Sequence, residues 1–428
     1  MIKGIAAAVV LGMALAGFAS DAFAQAPSDV RIDIRSEVAR RIRIHAEALE
    51  AAGDRAAGAG AAEAQETLAN DLDASAAFAV SRGWSQGQEP FDVQAIVGGR
   101  FSLGGGQLRL TGLVWDFPAR RPILSREYRG RPDEWRTFVH RFADDVVLQF
   151  TGESGVADSR IAFIVPEGRD KELWVMDADG ARPRPLTHDG SIALSPSWSP
   201  DGSLLLFTSY RGGTGPCIYV TPATGGNEFL VSARAGNNTS ASYSPDGREI
   251  ACTLSLEGNP EIYLLDARGG NPRRLTSNRA IDTSPAWAPT GREIAFTSDR
   301  TGSPEVYVMD RDGGNVRRLT DEVSYTDSPA WSPRGDRIAF VARTSEGFDV
   351  YACRADGSDV RRVVSGRANE NPHWSPDGRH LVFASNRDGA FAVYVTDLDD
   401  RPPRRIEVGG RVALSPAWSP RSVATGTP

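Results

Sequence analysis

Three aspartates, Asp201, Asp246 and Asp377, each stand third in a Ser-Pro-Asp-Gly tetrapeptide, and an aromatic residue (Trp198, Tyr243, Trp374) directly precedes each one. Carboxylates repeated in this way could ligate a cation, and indoles could stack on a ligand. The equivalent tetrapeptides after Trp287 and Trp331 carry Thr290 and Arg334 at the aspartate position, which suits a turn better than a ligand set. Pro pre-sets its φ, Asp bonds back to the backbone, and Gly accepts positive φ, so the phrase is turn chemistry. The aromatic residues read as a packing ring, each contributing about 2–3 kcal/mol when buried.

Other chemistry has little support. No G-x-S-x-G nucleophile elbow occurs, and the five histidines (His45, His140, His188, His373, His380) form no H-E-x-x-H or other ligand spacing. Gly104–Gly106 joins two strands in a hairpin and not a strand to a helix, so it is no phosphate cradle. His140 lies in a helical segment beside Arg141 and Asp144 and reads as part of a solvated face. Cys217, Cys252 and Cys353 are odd in number, far apart and set in apolar runs, as small buried residues are. No catalytic residue, cofactor or metal is expected, and the chain is not expected to be an enzyme. A net charge of −7 with no basic patch gives no footprint for a nucleic acid.

These residues are positioned by a repeat. Trp198, Tyr243, Trp287, Trp331, Trp374 and Trp418 recur every 43 to 45 residues. Each unit reads as four strands: the S-P-x-W stretch, a run such as Ile294–Ser298, one such as Val306–Met309, and a last one such as Arg317–Thr320. Four antiparallel strands cannot bury both faces alone, so the units must stack radially as a β-propeller. Second strands begin at Ile161, Leu205, Ile250, Ile294, Ile338 and Leu381. The first lacks a preceding S-P-x-W strand and Ser415–Trp418 lacks a following one, which predicts six blades with the C-terminal strand completing the N-terminal blade.

Residues 1–24 have Lys3, a short apolar run and Ala22-Phe23-Ala24, the pattern of a secretory signal cut after Ala24. The apolar run is too short to span a bilayer comfortably, and no later segment supplies a span. Residues 25–152 read as an α/β domain: a strand at 29–34, a helix around Ala61–Ala74, two alternating strands within 93–117, a third at 123–130, and an amphipathic helix through Trp135, Phe138, Val139, Phe142, Val146, Val147 and Phe150 that stops at Gly152. The propeller then occupies 153–428.

This domain order, "DVRIDI" after the signal, "FDVQAIVGGRF", "VVLQFTGESG" before "RIAFIV", and the units of the type "SPSWSPDG" and "IAFTSDRTGSPEVYVMD" together resemble the TolB family, the periplasmic component of the Tol–Pal system. The resemblance covers nearly the whole mature chain. It implies a non-catalytic periplasmic adaptor that supports outer-membrane integrity and envelope constriction at cell division. It implies that propeller loops bind the lipoprotein Pal, here Asn237, Asn238, Thr239, Ser240, Asp282, Thr283, Tyr325, Thr326 and Asp327, with Asn369–Asn371 in the matching loop of the next unit. Thr283 matches a threonine of the family's loop. The N-terminal segment, Asp29, Val30, Arg31, Ile32, Asp33 and Ile34, is implied to engage TolA, and other outer-membrane or peptidoglycan-associated proteins are further expected partners. The competing expectation is a periplasmic propeller that holds a small ligand or metal in its central channel.

Overall fold

The computed structural model describes residues 41–52, 55–82, 93–213, 215–321, 323–399 and 401–421. The expected signal and the strand at 29–34 lie outside the described residues. Residues 41 onward belong to one compact unit.

Its first part is a mixed sheet. The strand Ile42–Ala46 lies between Phe78–Ser81 and Ala95–Gly104, parallel to both, and Gln107–Asp116 and Arg121–Gly130 extend the sheet as antiparallel neighbours. Two helices, α1 (Arg55–Ala74) and α2 (Trp135–Thr151), pack on the sheet. Their apolar residues Ala61, Ala64, Leu68, Leu72, Phe138, Val139, Phe142 and Val146 recur at three- and four-residue intervals, the spacing that puts one stripe toward a sheet. Helix α2 begins after a turn in which the Arg131 backbone N–H donates to Glu134 Oε2 (2.7 Å), and it ends at Gly152, whose φ of 75° carries its N–H back to the Leu148 carbonyl. Gly112 is required by contact: a Cβ there would lie 2.4 Å from the Phe142 ring.

The rest is built of four-stranded antiparallel groups. Three are separate sheets that start at Ala193–Trp198, Asn238–Tyr243 and Asp282–Trp287. Two more, starting at Thr326–Trp331 and Arg367–Trp374, are joined where Gly347–Arg354 runs parallel to Arg367–Trp374. In a last sheet Leu414–Trp418 pairs antiparallel with Arg160–Glu167, followed by Asp170–Asp177 and Arg184–Pro185.

Apolar clusters fill the spaces between successive groups. One joins Trp198, Leu205 and Phe207 to Ile164, Leu173 and Ala417, and another joins Trp374 and Phe383 to Ala339 and Val350. The indoles are packing residues: Trp198, Trp287, Trp374 and Trp418 are buried, and the indole N–H groups of Trp198 and Trp374 donate across a seam to the carbonyls of Ala417 and Ala330. The aspartates are turn residues, since Asp201, Asp246 and Asp377 each accept from the Ser hydroxyl two residues back and the backbone N–H two residues on. All three cysteines are buried and free.

Candidate functional site

The first strand of every group lines one channel with a cavity of about 400 Å³, whose walls are Ser-Pro pairs and aromatic residues, without a carboxylate among the lining residues. Each of these strands bulges at the same place. Ser195, Ser240, Ser284, Ser328, Asn371 and Ser415 have φ between 45° and 55°, a left-handed conformation that is uncommon in non-glycine residues. The pairing register shifts at each, for example between Thr283 and Ala286. The repeated bulge twists each strand at the mouth of the channel.

Ahead of the bulge the chain forms a rim. The backbone N–H groups of Tyr210, Ser255, Asp299, Arg343 and Asn386 donate to the carbonyls of Ile192, Asn237, Ile281, Tyr325 and Ala368, which ties each loop that enters a first strand to the hairpin that leaves a second strand. Loops from several groups are thereby held on one end of the channel. The Ser-Pro-Asp-Gly turns lie at the other end of these strands.

The rim loops are anchored from within. Arg211, Arg300 and Arg387 stack on the pairs Phe207–Tyr219, Phe296–Tyr307 and Phe383–Tyr394, with guanidinium carbons 3.7 to 5.7 Å from the ring centroids. Arg300 also reaches Asp282 (3.1 Å), and Arg387 reaches Asn369 (2.9 Å). Asn238, Asp282, Thr326 and Asn369 occupy the same structural position, and all are buried. The Asn238 amide oxygen accepts from Ser232 Oγ and the Arg234 N–H, while its Nδ2 donates to the carbonyls of Arg234, Gly236 and Pro216. Thr326 Oγ1 accepts from the Val306 N–H (3.0 Å).

This corrects part of the expected partner surface. Asn238, Asp282 and Thr326 hold the loops in shape and present no side-chain surface. Their neighbours remain accessible: Asn237 is exposed, and Thr239, Ser240, Thr283, Tyr325 and Asp327 are half-buried. Tyr325 packs on Phe348 (6.0 Å between centroids) beneath Arg343, and Asp327 accepts from Thr297 Oγ1 (2.8 Å). Glu370 stands at the position of Thr283 two groups further on, and burial raises its carboxyl above the usual range. Two residues absent from the expectation belong to this rim, Ile281 (49% exposed) and Tyr210 (41%). The signal available in the sequence is an apolar side chain set among turn residues.

A second correction concerns His140. It is buried instead of solvated, because Asp71 of α1 and Asp177 and Asp179 at the start of the propeller lie against it, and its Nδ1 lies 2.7 Å from Asp71 Oδ2.

Stacked antiparallel groups around a channel, with loops of several groups held at one end, define a β-propeller scaffold whose broadest organised surface is a rim of loops. Residues 147–423 match the family described as the TolB beta propeller domain, and the chain belongs to the TolB β-propeller family. The Tol-Pal system protein TolB of Desulfosudis oleivorans is 39% identical over 166 residues, 39% of this chain and 37% of that protein. A protein TolB homolog of Chlorobium chlorochromatii is 39% identical over 163 residues, 38% of this chain and 36% of that protein. The matched segments thus span little more than a third of these relatives' length. The crystal structure of TolB from Acinetobacter baumannii is similar over 89% of this chain and 97% of its own, with 25% identity and a TM-score of 0.78.

Proposed function

We propose that this chain is a non-catalytic periplasmic adaptor of the Tol–Pal system, whose propeller rim docks the lipoprotein Pal and whose N-terminal segment, Asp29 to Ile34, engages TolA. In this reading the strand groups are six blades of one ring closed by Leu414–Trp418, and the boundary with the α/β domain falls at residues 152 and 153. The observation that carries the proposal is the rim itself: Asn237, Thr239, Ser240, Ile281, Thr283, Tyr325 and Asp327 come from loops of neighbouring blades bound to adjoining hairpins. Rigid loops of this kind lose little entropy on docking and can form an interface of about 1,200–2,000 Å². The names of the relatives support the assignment to the Tol–Pal system. Support for outer-membrane integrity and constriction at cell division follows from that assignment.

The test is calorimetric titration of the mature chain with the soluble domain of Pal from the same genome. Thr283→Arg on the rim should weaken one-to-one binding at least about tenfold, while Arg248→Glu, in a turn at the opposite mouth, should leave it unchanged. Equal binding by all three proteins would move the site off the rim. Removal of residues 25–34 should abolish TolA binding, and full TolA binding by that variant would refute the N-terminal assignment. The channel cavity favours a second reading, a small ligand bound among the Ser-Pro pairs. A stoichiometric ligand in the native mass spectrum of the purified protein would support it, and a clean apo mass would count against it.

A further inference from the structure

Where the α/β part meets the first propeller hairpin, four titratable side chains converge that the docking proposal does not use. Asp71 is on α1, His140 on α2, Asp177 ends the strand Asp170–Asp177, and Asp179 stands in the turn that follows. His140 is only 2% exposed, and its Nδ1 is 2.7 Å from Asp71 Oδ2. A carboxylate oxygen can only accept, so Nδ1 carries the hydrogen, and the ring is fixed with Nε2 turned toward the propeller. Nε2 makes no hydrogen bond. The nearest acidic atoms in that direction, Asp177 Oδ2 and Asp179 Oδ2, are each 4.0 Å away.

We propose that this cluster is a divalent transition-metal site, with His140 Nε2, Asp177 and Asp179 as the ligands and Asp71 as the acceptor that orients the imidazole. One imidazole nitrogen with two carboxylate oxygens is a donor set suited to Zn²⁺, which leaves a fourth position for water. An oriented His whose second nitrogen hydrogen-bonds a carboxylate is the usual arrangement behind a metal ligand. At metal–ligand distances of about 2.0–2.2 Å, tetrahedral ligand atoms stand about 3.4 Å apart, so Nε2 and each carboxylate oxygen, now 4.0 Å apart, must draw together and the oxygens must turn from their arginine partners. A cavity of about 410 Å³, lined by Asp71, Asp179, Arg136 and Arg404 among others, adjoins the cluster on its Asp71–Asp179 side.

The charges around the cluster set the competition. The carboxylates already have guanidinium neighbours: Arg136 binds Asp179 and has its Nε 3.9 Å from Asp177, Arg182 donates to Asp177 Oδ2 (2.7 Å), and the charge of Arg404 acts on Asp179 and Asp71. A bound ion therefore competes with these guanidiniums for the carboxylate oxygens. Because the ligands come from both parts of the chain, a bound ion ties the α/β part to the propeller.

The experiment is calorimetric titration of the metal-stripped mature chain with Zn²⁺ at about pH 8, beside His140→Gln and Asp179→Asn, with thermal unfolding followed in the same samples. One equivalent should bind the native sequence and raise its Tm. Binding should be lost in His140→Gln and weakened at least about tenfold in Asp179→Asn, a half-exposed position where the substitution leaves the core intact. Three proteins that bind alike would overturn the assignment, as would the absence of binding to the native sequence at about 0.1 mM Zn²⁺.

Discussion

Asp282 and Thr283 are chain neighbours with opposite expected phenotypes. Asp282 is 0% exposed and accepts hydrogen bonds from Arg300 Nη2 (3.1 Å) and Asn278 Nδ2 (2.8 Å). Bonds to charged groups contribute about 1.5–3 kcal/mol each, and the Arg300 side chain, 25% exposed, places its pair at the low end. Arg300 keeps its contacts with Ser298 and with the Phe296 and Tyr307 rings, so Asp282→Ala does not strand a buried cation. The expected loss is about 3 kcal/mol, a large share of the ~5–15 kcal/mol that holds a typical native protein. Thr283→Arg adds a side chain on the rim and should change stability by no more than about 0.5 kcal/mol. Urea unfolding followed by Trp fluorescence measures the first effect, and titration with Pal at a temperature where both variants are folded measures the second. Asp282→Ala should be unstable and binding-competent, and Thr283→Arg stable and binding-deficient. An Asp282→Ala protein of native stability that fails to bind would refute the reasoning, because it would make Asp282 a contact instead of an anchor.

Trp418→Ala removes a buried indole whose Nε1 donates to Ser159 Oγ (2.8 Å) and should cost about 3–5 kcal/mol in unfolding free energy, more than truncation of the half-buried Trp331. Asp144 is shifted by burial, opposed in part by backbone N–H bonds from Ala157 and Asp158, and its pKa rises to about 7. A raised carboxyl pKa means that the native state holds a proton the unfolded state has lost, so this group's contribution to stability falls as pH rises from about 4 to 7 and is level above. Urea midpoints across that range should show the slope in the native sequence and a smaller one in Asp144→Asn. Burial pushes the thiols of Cys252 and Cys353 up to about 12, so a thiol reagent at neutral pH should label neither until denaturant is added.

The repeat is legible because turn chemistry is local. Ser-Pro-Asp-Gly specifies its own backbone, and the residues that follow it alternate toward two packed faces, so the second strands lie within a residue of their expected starts. The strand Phe78–Ser81 is not legible, since four residues after a helix carry too little pattern to show that they pair in parallel with Ile42–Ala46. His140 misleads for a different reason. Helical periodicity separates an apolar stripe from a polar one but does not say what covers the polar one, and here Asp71 arrives from a helix 69 residues away. The buried rim anchors fail in the same way, because polar residues in a loop read as surface until a partner such as Arg300, 18 residues further on, is brought against them.

The pairing of Leu414–Trp418 with Arg160–Glu167 also has a consequence in time. Ser159 and Trp418, joined by a hydrogen bond, are 259 residues apart in the chain. At a synthesis rate of about 5–20 residues per second, the edge of Arg160–Glu167 waits roughly 10–50 s for its partner. Throughout that interval the apolar run Ile161–Val165 presents an unpaired strand edge, the kind of surface that joins other chains. The nascent molecule is thus most exposed to aggregation before its last short strand is made, and a holding chaperone that acts on this protein would be expected to recognise Ile161–Val165.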